Sequence, residues 1–237
     1  MNISRRLIGL AGIEASMVMS IGSLVTALSY RGLKGERYSF LNHFISELGQ
    51  TGVSNLAPLF NVSLMVAGLL ILLFMVGLGL YIKSAWGNIV VVLGAFSAIS
   101  CGLVGVFPMN HLSIHVKVAD GFFYGILVTI FVFTIGMALD KNAAFSMWII
   151  LPGLLVVLAV LSFLIVPHFT NTNHLFTLNP AHIIRPRFWP NAFLEWSVFF
   201  TVLLWMLVVS GDVIRQASIS EAHVTTIQRS IPERPAA

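Results

Sequence analysis

Six apolar stretches, each long enough to cross a bilayer, account for most of this 237-residue chain. Crossing the hydrocarbon core takes about 20 mostly apolar residues in helical form, and the stretches lie at roughly 7–30, 56–82, 88–107, 118–139, 147–167 and 192–211. Lipid offers the backbone no hydrogen-bond partners, so each stretch must satisfy its own N–H and C=O groups as a helix. A membrane β-barrel would need runs of about ten alternating residues, and 69–76 shows no alternation. The expected fold is all-α: a polytopic membrane helical bundle of six transmembrane helices over 1–214, followed by a polar, disordered tail over 215–237. Composition agrees. Charged residues make up 9% of the chain against about 25% in a soluble domain, and the mean hydropathy is +0.93.

An even number of spans puts both termini on one side. With cytoplasmic termini, Arg5, Arg6, Lys83, Lys141, Arg215, Arg229 and Arg234 lie inside, and Arg31, Lys34, Arg37, Lys117, Arg185 and Arg187 lie outside. Seven against six does not set the orientation. The short turns near Lys83 and Lys141 each carry a lysine, so the expectation is a multi-pass protein of the cell (inner or plasma) membrane with cytoplasmic termini. Tyr30, Tyr81, Trp86, Trp148, Trp189 and Trp196 fall near span ends, where amphipathic rings favour the headgroup region. The formal charge of +4 is read as interfacial anchoring. No basic stripe with interleaved aromatics points to nucleic acid; membrane lipids are the expected partners, and the oligomeric state is left open. The single cysteine, Cys101, has no intrachain disulfide partner. Arg5-Arg6 resembles a twin-arginine export signal, but five further spans favour an uncleaved anchor.

Polar residues collect at one set of helix ends. Six of the seven histidines, His43, His111, His115, His168, His174 and His182, fall there, and only His223 lies in the tail. Two pairs, His111 with His115 and His43 with Glu47, have the four-residue spacing that places side chains on one helix face. Two imidazoles on one face can hold a metal, and a catalytic zinc needs a third protein ligand such as His168. The competing reading is of interfacial histidines bonded to loop carbonyls or headgroups. Asp120 and Glu195, in first helical turns, complement the helix dipole, and Asn191 is placed to cap the last span. Arg185 and Arg187 flank Pro186, where they would bind lipid phosphate or snorkel to the headgroups. Glu14 lies two turns into the first span, where a carboxylate is costly and marks a functional candidate. In the third span Gly94, Ala98, Cys101, Gly102 and Gly105 form a small-residue face for close helix approach, and Pro108 ends that helix.

The sequence Ile45-Ser46-Glu47-Leu48-Gly49 after the first span, Asn61 early in the second, and Gly105-Val106-Phe107-Pro108 followed by His115 resemble domain-of-unknown-function family 998. The resemblance covers roughly residues 10–211 and implies a six-span archaeal or bacterial membrane protein. It implies no established activity, and singles out Ser46, Glu47, Asn61, Pro108 and His115.

Three functions compete. One is a binding module taking a lipid headgroup or small amphiphile in an extracytoplasmic polar cleft, with His43, Asn61, His115, Arg185, Arg187 and Glu195 as ligand-binding residues. The second is a metal-dependent hydrolase of a lipid amide or ester. It would hold zinc on His111, His115 and His168, with Glu47 or Asp120 as general base and Ser46 as an alternative nucleophile. The third is a small transporter, which would show Gly/Pro-broken helices near midplane. Haem ligation would require inward-facing histidines on the spans themselves.

Overall fold

Each apolar stretch forms one long helix, and the order along the chain dictates how they assemble. The computed structural model describes residues 5–140, 145–170 and 185–230. The helices are α1 (Arg5–Ser29), α2 (Ala57–Ile82), α3 (Ala85–Val106), α4 (Leu112–Leu139), α5 (Ile150–Thr170) and α6 (Pro190–Ser230). Short 3-10 turns stand at Ile45–Gly49, Met109–His111 and Met147–Ile149, and no strand occurs among the described residues. All six helices are long and apolar enough to cross a membrane, which makes this a multi-pass membrane protein.

Every helix packs against its neighbours in sequence, and α1 packs against α6, closing the six into a ring. The short connections from α2 through α5 force an antiparallel order there. Between α2 and α3 the link is Lys83 and Ser84. Lys83 takes a left-handed conformation at φ 52, and the Ser84 hydroxyl accepts the Gly87 N–H at 3.3 Å. The same two helices touch backbone to backbone farther along: a methyl group on Gly68 would stand 2.7 Å from the Gly102 Cα, so only glycine fits there.

One end of the ring, here the base, carries the α2–α3 and α4–α5 turns. The other, the rim, carries the α1–α2, α3–α4 and α5–α6 connections, the first and last of which are the longest in the chain. The base half is filled by aromatic rings. Trp205 meets Phe133 edge-on at 5.2 Å and Phe74 at 6.1 Å, and Phe133 also meets Trp86 and Phe145. Trp205, Phe74 and Phe133 are completely buried. Such pairs add roughly 0.5–1.5 kcal/mol each beyond area burial.

Three expectations need correction. The fourth helix begins at Leu112 rather than near 118, because the 3-10 turn after Pro108 runs straight into it. The last helix begins at Pro190, so Asn191 lies inside its first turn instead of capping it; proline suits that first position because it lacks the N–H that would go unpaired. That helix also continues through Ser230, where a disordered tail was expected from 215. No Gly or Pro interrupts 212–231, and Asp212 pairs with Arg215 one turn on at 2.7 Å. Residues 231–237 lie outside the described part.

Candidate functional site

The rim is organised by the 3-10 turn Ile45–Gly49. Such a turn leaves N–H groups without partners at its start, and two buried carboxylates supply them. Glu47 Oε1 accepts the Phe44 N–H at 2.9 Å. Glu195, one and a half turns into α6, accepts the Ile45 N–H through Oε2 at 2.7 Å and the Ser46 N–H as well. Asn61 of α2 donates from Nδ2 to the Gly49 carbonyl at 3.0 Å. Thr51 and Asn110 exchange two hydrogen bonds, at 2.8 and 2.9 Å, which fasten the first rim connection to the second.

The strongest tie is an ion pair. The Arg185 guanidinium grips Glu47 with both terminal nitrogens, Nη1 lying 3.0 Å from Oε1 and Nη2 against Oε2. Nη1 also donates to the Asn42 carbonyl at 3.1 Å. Burial pushes the Glu47 carboxyl up, opposed by Arg185 and by the Phe44 N–H. Burial likewise works against the charge on Arg185, but Glu47, with Tyr30 and Glu36, more than offsets it and holds the guanidinium above its ordinary value. The segment before Trp189 is stitched to the same connection. The Trp189 N–H donates to Leu41 at 2.8 Å, and Asn42 Nδ2 donates to the Pro186 carbonyl at 2.9 Å.

Behind the turn lies an aromatic layer. Tyr38 donates to the Phe44 carbonyl at 2.8 Å and accepts the Trp196 indole N–H at 2.9 Å. The His43 ring sits 5.4 Å from that of Tyr30 and 5.0 Å from that of Tyr38, only 2% exposed. Burial, and then the Arg185 charge, pull His43 down to about 4. It is a neutral core histidine.

Beneath the turn, between α2, α3, α4 and α6, is a hollow of about 90 Å³. On the same measure one water needs about 10–15 Å³, so several methylene groups fit in line. Leu64, Cys101, Val104, Phe123, Val198 and Val202 line its length. Its polar groups are Ser46, His115 and Glu195, all contributed by the rim. His115 is buried at the end of the first turn of α4, and its Nδ1 lies 2.8 Å from the Phe107 carbonyl. A carbonyl only accepts, so the proton sits on Nδ1 and Nε2 is an acceptor. The Ser46 hydroxyl donates to the Met109 sulfur at 3.3 Å.

The expected site residues therefore separate. Ser46, His115 and Glu195 line one hollow. Glu47, Asn61 and His43 hold the turn above it. Arg185 is occupied by Glu47 and is not free for a phosphate, while Arg187, across Pro186, is exposed. Asp120 is exposed on the outward face of α4. His111 and His168 are also exposed, and among the described residues no three His, Cys, Asp or Glu side chains converge to hold a metal. The zinc site expected on His111, His115 and His168 is not assembled: the 3-10 turn rotates His111 outward while His115 turns in. His174 and His182 lie outside the described residues. Glu14 faces outward from α1 in a shallow groove with Gly22 and Ser63. Sequence reasoning missed Tyr38, Thr51, Asn110 and the Phe107 carbonyl; only the proline after Phe107 hinted that this carbonyl is held in place.

A family model described as Protein of unknown function (DUF998) matches residues 18–212, from within α1 to within α6. No curated protein and no solved structure matches the chain.

Proposed function

The chain belongs to the DUF998 family, and we propose that it binds a small amphiphile in the hollow beneath its rim, alkyl part inward and head towards Ser46, His115 and Glu195. The observation that carries this reading is the lining: apolar along its length and polar at one end. A site of mostly apolar walls with a few convergent polar groups is the usual form of a small-molecule pocket. The rim faces away from the cytoplasm in this reading, supported by the lysines near the two base turns.

Native mass spectrometry of gently purified protein tests the proposal. The wild type retains an added amphiphile mass. Ala119→Phe, which drives a ring into the hollow from α4, lowers that retention by about tenfold or more, equivalent to about 1.4 kcal/mol. Equal retention by both proteins would sink the reading.

A further inference from the structure

We propose that the amphiphile carries a protonated amine head, seated against Glu195 with Ser46 and His115 as further acceptors. This rests on the amphiphile reading above and names the ligand class of the same hollow. Glu195 is 7% exposed and makes no ion pair among the described residues. Arg185, the cation that pairs with the turn, is held by Glu47, and 171–184 contains no lysine or arginine. A carboxylate buried at a membrane-spanning helix without a counter-charge is expensive. Two backbone N–H groups stabilise it, yet a carboxylate offers about four lone-pair positions, so accepting capacity remains.

The other two polar groups have the same character. His115 Nε2 is an acceptor because Nδ1 donates to Phe107. Ser46 spends its one proton on the Met109 sulfur, which leaves its oxygen lone pairs. Three acceptors at one end of an apolar slot match the three N–H donors of a primary ammonium. A carboxylate or phosphate head would meet Glu195 with no cation to offset the repulsion. An alcohol head brings a single donor and no charge.

Three probes with one chain length decide the point: dodecylamine, dodecanol and dodecanoate, offered to the full-length protein in phosphatidylcholine nanodiscs. Retention on Ala119→Phe serves as background. The expected result is about tenfold more dodecylamine above background than either other probe, with Glu195→Gln reducing it to the dodecanol level. The glutamine carbonyl still accepts the Ile45 N–H, and should that variant fail to fold, the wild-type series decides alone. Dodecanoate or dodecanol held as well as dodecylamine overturns the amine assignment while leaving amphiphile binding intact. If none of the three exceeds background, the amphiphile reading falls and this inference with it.

Discussion

Phe133 and Phe123 stand on the same helix, about three turns apart, and meet opposite surroundings. Phe133 is packed among Trp86, Phe145 and Trp205 in the base half. Phe123 has Phe122 and Phe163 beside it and the hollow before it. The base half is held by ring-to-ring packing, which in lipid must do the work that water exclusion does in a soluble core. The rim half leaves space and is held by hydrogen bonds and one buried ion pair. A ring of helices can stay open at one end only if something other than side-chain volume fixes its spacing there, and the Ile45–Gly49 turn does so.

The largest test of that contrast is to break the ion pair. Glu47→Ala leaves the half-buried Arg185 charge with only Glu36, at 4.0 Å, beside it, and a loss of up to about 3–5 kcal/mol is expected in unfolding by denaturant titration in detergent. A loss below about 1 kcal/mol would mean that the rim does not depend on it. Next comes the phenylalanine pair. Phe133→Ala should cost about 3–5 kcal/mol, and Phe123→Ala at least about 1 kcal/mol less, because one side of that ring already lacks packing partners. Equal costs would erase the distinction between the halves.

The smallest effect concerns pH. His43 falls from 6.5 to about 4 in the folded protein, so the unfolded chain binds its proton first on acidification. Stability from neutral His43 is fully present above about pH 6.5 and declines as pH drops towards 4, by at most about 1.4 kcal/mol per unit. Tyr30, Tyr38, Glu36, Glu47 and Arg185 surround it and remain in His43→Gln, so the difference between the two proteins isolates the imidazole. Identical slopes between pH 6.5 and 4 would remove it from the rim's account.

Much of the architecture was readable from residue order alone. Membrane helices announce themselves by length and apolarity, and four of the histidines expected at one set of helix ends, His43, His111, His115 and His168, lie at the rim. His115 and Glu195 were singled out together as ligand-binding residues, and Ser46 separately as an alternative nucleophile. What joins them is a hollow, and a hollow is a matter of which rotamers fail to meet, invisible to any local pattern. The HxxxH spacing misled because it assumes one continuous helix, whereas a 3-10 turn intervenes at His111. Arg185 was placed on the headgroups because its partner lies 138 positions away, and neither periodicity nor charge counting links two loops so distant. The tail was judged by its polarity, while helix continuation depends on the absence of breakers.

That separation has a consequence for biogenesis. Glu47 leaves the ribosome with the first quarter of the polypeptide, and Arg185 follows 138 residues later, roughly 7–28 s at ordinary translation speeds. Throughout that interval the early connection holds an acid awaiting its mate, and by its end the first five helices have been made. The rim thus closes as one of the final acts of synthesis, and a nascent chain halted before residue 185 has neither the latch nor the sixth helix that closes the ring.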